Sequence, residues 1–354
     1  MGISFVKPSS DQQWDNYIFQ LDDYSFLLSS ARYKYSTDTG IDVFRYLIFD
    51  SEKYLGVIMG FVDSIKGFGK YLECKHNPLL ISGLTKMKKE QVLKEVFKKL
   101  RLIAKNNKCF FVRVSPLIKD DEDYLALYQA MNAQKSPVHP QDALISQYFD
   151  TTKELAQLHS EMNKSSRSNA NKLLKDKDIK VKVFTDDSVF QIFKDFYTET
   201  RDYKKYRGKS ADKLLKEFEK YLEKDMLYFL VAYNQGKPVT VWQMIRFGKY
   251  MHHYQAGSDL QYNEKCTRLL FYKTLELCKD IGVETLDLFG GMLPESSELN
   301  SSNPWKGVND FKISLGGKKI TYMHPRDIVI KGYYSIYFPY AKLRVNLKGH
   351  TTDW

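Results

Sequence analysis

Met226-Leu227-Tyr228-Phe229-Leu230-Val231-Ala232-Tyr233 leads through Asn234-Gln235-Gly236-Lys237-Pro238 into Val239 to Arg246. β-Branched and aromatic residues dominate both arms, and the connector is made of turn formers, so the stretch reads as a β-hairpin. Tyr250 to Gln255 reads as a further strand. Lys265 to Ile281 then carries Leu269, Leu270, Tyr272, Leu275 and Leu277, an apolar pattern at helical spacing. Thr285-Leu286-Asp287-Leu288-Phe289 is a short strand, and Gly290-Gly291 ends it.

The first half of the chain shows the same order. Val43 to Phe49 and Tyr54 to Val62 flank the turn Asp50-Ser51-Glu52-Lys53. Lys88 to Lys105 carries Val92, Leu93, Val96, Phe97, Leu100, Leu102 and Ile103 as an apolar stripe at helical spacing, and Cys109 to Val114 is a strand running to Pro116. Hairpin, helix and strand occurring twice point to a duplicated α/β unit rather than one large sheet. The 354 residues suit two domains of about 150 each. The break is expected near Pro137–Ser146. Beyond it, Leu155 to Leu174 reads as one helix capped by Thr151 or Thr152. Lys209 to Lys224 reads as a charged helix whose buried side is Leu214, Leu215, Phe218 and Leu222.

Apolar residues make up 43% of the chain and charged residues 27%, which excludes a disordered polypeptide. The net charge of +11 suits a polyanionic partner such as nucleic acid, a nucleotide-sugar or an anionic membrane surface; it also suits a lysine-rich solvated surface. Cys74, Cys109, Cys266 and Cys278 form no CxxC pair, and no histidines cluster with them, so neither a zinc site nor a disulfide framework is expected. Scattered thiols fit a reducing cytoplasm. Met1 to Gln20 lacks an apolar core of the secretory kind, and no apolar run is long enough to span a bilayer.

Four stretches are candidates for chemistry. Lys164, Arg167, Lys172, Lys175, Lys177, Lys180 and Lys182 form the densest basic run, fit either for phosphate contacts or for a solvated helix face. Arg201 to Lys209 interleaves cations with tyrosines, as a diphosphate site or an exposed loop would. Tyr250 to Ser258 runs polar aromatics along a strand; His253 and Gln255 share one face, His252 and Tyr254 the other. Asp310-Phe311-Lys312-Ile313-Ser314-Leu315-Gly316-Gly317 is read as a strand end, where Lys312 is placed to stabilise an oxyanion. Nucleotide-loop, metalloprotease and serine-hydrolase motifs are absent.

Taken in order, Met162–Ile179 with Arg167, Thr200–Arg207, Tyr254–Ser258, Leu286–Gly291 and Phe311–Gly317 resemble the FemABX family, which builds the peptide bridges of bacterial peptidoglycan. Cys109–Pro116 is similar to that family's first-domain strand. The short span between Arg207 and Met226, with no helical arm, resembles its compact FemX-type members. The resemblance implies an α/β (α+β) fold of two GNAT-like domains, each a mixed sheet flanked by helices. Residues 1–146, completed by about 326–354, would form the acceptor-precursor domain, and 147–325 the aminoacyl-tRNA domain. It implies a cytoplasmic aminoacyltransferase, acting as a monomer. Such an enzyme moves an amino acid from aminoacyl-tRNA to a stem-peptide amine, on lipid II or on UDP-MurNAc-pentapeptide, with peripheral contact to the inner membrane surface. No cofactor is implied beyond aminoacyl-tRNA as co-substrate. Lys312 and Phe311 would be catalytic. Arg207, Tyr254, Gln255 and Lys34 would bind substrate, and Lys164, Arg167, Lys172 and Lys175 would meet tRNA. This chain departs from the family at Leu28-Ser29, His76-Asn77-Pro78 and Ala211. Two other readings stay open: a GNAT N-acyltransferase using acyl-CoA, although Ser258–Arg268 lacks the glycines of a pyrophosphate loop, and a non-catalytic RNA-binding or immunity-type protein.

Overall fold

The computed structural model describes residues 2–119, 122–138, 145–204, 208–262, 266–290 and 306–347. The chain divides into two compact units. Unit 1 comprises residues 1–144 and 321–354, and unit 2 comprises 145–320.

Unit 1 contains β1 (Ile3–Val6), α1 (Asp11–Ile18), α2 (Ser30–Asp38), β2 (Val43–Asp50), β3 (Lys53–Ile65), β4 (Gly69–His76), β5 (Leu79–Leu80), α3 (Lys86–Asn106), β6 (Phe111–Pro116), α4 (Glu122–Ala130) and β7 (Ala133–Lys135). Unit 2 contains β8 (Ile145–Asp150), α5 (Leu155–Glu161), α6 (Lys164–Lys175), β9 (Ile179–Phe184), α7 (Phe190–Lys204), α8 (Ala211–Leu222), β10 (Leu227–Asn234), β11 (Lys237–Phe247), β12 (Tyr250–Ser258), α9 (Thr267–Asp280), β13 (Thr285–Asp287), α10 (Lys306–Ser314) and β14 (Lys318–Thr321). The chain then re-enters unit 1 as β15 (Arg326–Val329) and α11 (Tyr334–Leu347).

The sheet of unit 1 runs β1-β2-β3-β4-β6-β15-β7, with β5 paired to β3, and that of unit 2 runs β14-β8-β13-β12-β11-β10-β9. In each, an antiparallel meander meets one parallel neighbour: β4 beside β6, and β12 beside β13. The crossover between those strands is the long amphipathic helix expected in each half, α3 or α9. Parallel neighbours need such a crossover, which explains the repeat of hairpin, helix and strand. Thr85 caps α3 by accepting the Lys88 N–H. Val92, Val96, Phe97 and Leu100 of α3 pack on Leu72, Val112 and Val114. In unit 2, Leu269, Leu270, Phe271 and Leu275 of α9 pack with Trp242, Met244 and Leu286.

Two expectations need correction. Leu155 to Leu174 is not one helix. It breaks at Met162-Asn163, because Asn163 turns its side chain back to accept the Ser166 N–H and starts α6 anew. Thr151 and Thr152 cap nothing: the Thr151 hydroxyl donates to the Val283 carbonyl, and that of Thr152 to Asp150. Nor is Lys312 at a strand end. It lies in the last turn of α10.

Candidate functional site

The seam between β12 and β13 organises unit 2. The two strands are registered over Tyr250–Thr285, Met251–Leu286 and His252–Asp287 only, yet β12 runs on to Ser258. Past Asp287 the other chain leaves the seam, and Leu288 N–H bonds the Gln147 carbonyl of β8. The strands therefore fork. A bulge adds to the opening: Gln243 pairs with Gln255 and Met244 with His253, so Tyr254 is the extra residue. Bulges re-aim side chains and recur beside active sites.

Three groups fix the crotch of the fork. Phe289 has φ 35° and Gly290 φ 77°, a left-handed backbone that costs free energy at a phenylalanine. The Phe289 N–H donates to Asp287 Oδ1 at 2.8 Å. The Lys312 ammonium donates to the carbonyls of Leu288, Phe289 and Gly290 at 2.8, 2.6 and 3.1 Å. A lysine has three N–H donors, and these three carbonyls take all of them. Asp287 is buried. Burial alone would raise its carboxyl pKa, but hydrogen bonds from His252, Ser146 and the Phe289 N–H hold it below the ordinary value. His252 Nδ1 lies 3.1 Å from Asp287 Oδ2, and the Ser146 hydroxyl bonds Oδ1.

Burial also acts on the lysine. With only Asp287 as a countering charge, Lys312 falls to about 8. His253 falls to about 3, first through burial and then through the nearby Lys312 charge, so its imidazole is neutral. Its ring lies against Trp242, tilted by 42° with centroids 4.3 Å apart.

Phe311 lies between Trp242 at 6.3 Å and the Arg268 guanidinium at 5.8 Å. Arg268 Nε donates to the Ser166 hydroxyl, which bonds Ser314 at 2.9 Å. These contacts tie the end of α10 to α6 and α9. Gly316 and Gly317 follow with φ 87° and 77°. A Cβ at Gly316 would stand 2.4 Å from the Glu161 carbonyl oxygen, and one at Gly317 2.7 Å from that of Tyr148. Glycine is needed at both positions, and Gln147 holds the turn by donating to the Gly316 carbonyl at 2.7 Å.

The fork draws Lys312, Phe311 and Tyr254 into one region of the same unit. The Tyr254 ring meets Phe289 edge-on at 6.0 Å, and its hydroxyl approaches Glu217 Oε1 at 3.5 Å. His252 shares Phe289 with Tyr254 and so lies on the same face of β12, as alternation requires. Gln255 is half-buried opposite Gln243. Arg207 lies outside the described residues. Lys164 and Lys172 line an open depression on α6 with Ser165, Ser168 and Asn169, and Lys175 is exposed at its end. Arg167 faces elsewhere, donating to the Ser160 and Met162 carbonyls at the end of α5. Lys34 belongs to unit 1, on α2, where Arg32 and Ser36 rather than Lys34 line a pocket with Met59, Phe61, Lys75 and Asn77.

FemX superposes with a TM-score of 0.80 at 11% identity, over 96% of this chain and all of that one. The chain has the two-domain fold of FemX. A tandem GNAT protein from the clavulanic acid biosynthesis pathway aligns with a TM-score of 0.57 and 10% identity, over 93% of this chain and 99% of its own. L-PGS from Bacillus licheniformis aligns at 0.56 and 13%, over 98% and 99%. Residues 160–306 match the acetyltransferase (GNAT) domain family, so the forked sheet of unit 2 is a GNAT-like sheet. No curated protein matches the sequence. The fold expected from the FemABX resemblance is thus present: two mixed sheets flanked by helices, each GNAT-like.

Sequence reasoning missed Asp287, Ser146 and Glu217. Two of them had a signal. Asp287 sits between Leu286 and Leu288 in a strand, and Glu217 occupies a core position between Leu214 and Tyr221 on α8. An acid at an apolar position is buried only with partners. Those partners are His252 and Ser146 for Asp287, and Lys209 and Tyr221 for Glu217. Among the described residues, no group of His, Cys, Asp and Glu side chains is arranged to hold a metal ion.

Proposed function

We propose that this protein is an aminoacyltransferase that moves an amino acid from aminoacyl-tRNA to an amine of a peptidoglycan precursor stem peptide, on lipid II or UDP-MurNAc-pentapeptide. The observation that carries this reading is a buried ammonium at the crotch of a forked GNAT-like sheet. In such a fork an acyl group fits between parting strands, and its carbonyl meets fixed donors. FemX and L-PGS are among the relatives in fold, and the lack of glycines in Ser258–Arg268 weighs against acyl-CoA as the donor.

The tRNA ester is already activated, so neither a covalent enzyme intermediate nor a metal is required. The acceptor amine attacks the ester carbonyl and forms the new C–N bond. The C–O bond to the terminal ribose then breaks, and the amine proton passes to that leaving oxygen. Orientation and charge stabilisation supply the acceleration. Lys312 acts in two ways here. It holds the left-handed Leu288–Gly290 segment, and it sets a positive charge beside the oxyanion. Its longest bond, 3.1 Å to Gly290, is the one it would exchange for the substrate oxygen. Phe311, beside Trp242 and Arg268, would offer its ring to the terminal adenine, and Tyr254, in contact with Phe289 of the left-handed segment, would line the cleft. Lys164, Lys172 and Lys175 would meet tRNA phosphates along α6. In unit 1, Arg32 and Lys75 of the α2 pocket offer two cations to an anionic acceptor, beside Lys34.

The test is transfer of labelled amino acid from a panel of charged tRNAs to lipid II and to UDP-MurNAc-pentapeptide. Formation of the extended stem peptide is expected. Transfer from acyl-CoA alone, or tight tRNA binding with no product, would overturn the reading.

A further inference from the structure

α11 closes unit 1, and it carries apolar residues on two sides. Its inner side, Tyr334, Tyr337 and Ala341, packs on Tyr71, Phe110 and Phe111. Its outer side presents Ile336, Tyr340, Leu343 and Leu347, which are 67, 40, 57 and 77% exposed. The spacing of four, three and four makes one stripe along the helix. Tyr333, just before the helix, is also exposed, at 37%. Among the described residues, no other helix exposes so long a run of large apolar side chains.

The charge around the stripe has one sign. From Ile328 to Leu347 the sequence contains Lys331, Lys342 and Arg344 and no carboxylate side chain. Lys331 lies by the Tyr333 ring at 6.0 Å and Arg344 by the Tyr340 ring at 5.7 Å, so cations flank the aromatic part of the stripe. The β3–β4 turn adds more. Phe68 at its tip meets Tyr340 at 5.0 Å and Tyr337 at 5.4 Å, which brings the exposed Lys66 and Lys70 to the same end of the helix. Asp63, on the same hairpin, is bonded by the Tyr71 hydroxyl.

We propose that the outer face of α11, with the β3–β4 turn, is a docking surface for an anionic lipid bilayer. A helix lying in the interface buries an apolar face at the acyl boundary, sets tyrosines at the headgroup level and keeps lysine and arginine above it. Both ingredients are present here, and a bilayer with negative headgroups complements the charge along the whole stripe. A second copy of the chain would complement only the apolar part, and would oppose Lys342 and Arg344 to their own equivalents. This docking face deepens the membrane contact that the FemABX resemblance implies, and vesicle binding is read separately from amino-acid transfer, so the two can fail independently.

The experiment is co-sedimentation of the full chain with vesicles of phosphatidylglycerol and phosphatidylcholine in equal parts, against phosphatidylcholine alone. Binding to the anionic vesicles, weakened by salt, is expected. Ile336→Ser/Leu343→Ser and Lys342→Glu/Arg344→Glu should each lower vesicle affinity by about ten-fold or more, since each removes one of the two contributions. All four residues are exposed, so both variants should melt as the wild type does. Should the first variant fail to fold, the second and the salt dependence still decide. Absence of binding to anionic vesicles at low salt would overturn the proposal, as would equal binding to neutral vesicles. So would a wild-type dimer that Ile336→Ser/Leu343→Ser dissociates while vesicle binding is absent.

Discussion

The two units treat the same seam differently. In unit 1, β4 and β6 stay registered over five pairs, from Leu72–Val112 to His76–Pro116. In unit 2, β12 and β13 part after three. Each seam has a buried acid beside it. Asp327 on β15 takes a two-pronged bond from its cross-strand partner Arg113, at 2.8 and 2.7 Å, and a third from the Tyr334 hydroxyl. Asp287 has only His252, Ser146 and a backbone N–H. In unit 1 a full guanidinium pair ties β6 to β15, beside a seam that stays closed. A histidine, a serine and a left-handed turn hold an open one, and there a buried lysine stands in the gap. One architecture thus yields a braced sheet in one copy and a chemical site in the other.

The comparison can be broken at four points, from the largest expected effect to the smallest. Arg113→Ala leaves Asp327 buried without its ion-pair partner and should destabilise the protein by about 3–5 kcal/mol, read by denaturant unfolding. A loss under about 1 kcal/mol would show that the closed seam does not need its brace. Lys312→Met should reduce transfer by about a hundred- to a thousand-fold while the far-ultraviolet spectrum is kept. Lys75→Met in unit 1 should instead raise the KM for the acceptor and spare kcat. Equal effects from the two lysines would erase the distinction between the units.

Asp287→Asn should cost about 1–3 kcal/mol, because one carboxylate acceptor is lost from a buried network. The pH dependence has a definite sign. The Asp287 carboxyl is held below its ordinary 3.8, so its stabilisation is present above that value and is lost as pH falls through the folded pKa. The asparagine variant should therefore show a flatter acid limb. The smallest effect concerns Lys312 itself. If its ammonium is the working form, transfer should decline as pH rises through about 8, and Lys312→Arg should move that limb upward. A limb unmoved by the arginine would assign it to another group.

The sequence carried the architecture well, because each α/β repeat is written in two periods that physics separates cleanly. The hairpins alternate, and α3 and α9 repeat at 3.6 residues. The Gly316-Gly317 pair that ends Asp310–Gly317 has a reason the structure supplies: neighbouring carbonyl oxygens leave no room for a Cβ. The helical state of Lys312 was not legible. Lys306 to Ser314 is short and lacks a strong apolar stripe, and a lysine is ordinarily solvated. The break at Asn163 was hidden because capping competes with helix continuation through a side chain, not through hydropathy. The Asp287 network was beyond reach in another way. Ser146 and Asp287 are 141 residues apart and meet only because β8 and β13 become neighbours in the sheet.

One feature of unit 1 reaches past the folded molecule to its synthesis. β15 lies between β6 and β7, and it is made only after all of unit 2. As the chain leaves the ribosome, unit 2 is complete in one continuous piece by residue 320, while the sheet of unit 1 still lacks an inner strand. Arg113 then waits for Asp327, 214 residues downstream. The order of completion runs against the order of translation, and two strand edges stay unsealed for most of that interval. A chain that stops before residue 326 would present those edges to chaperones and proteases.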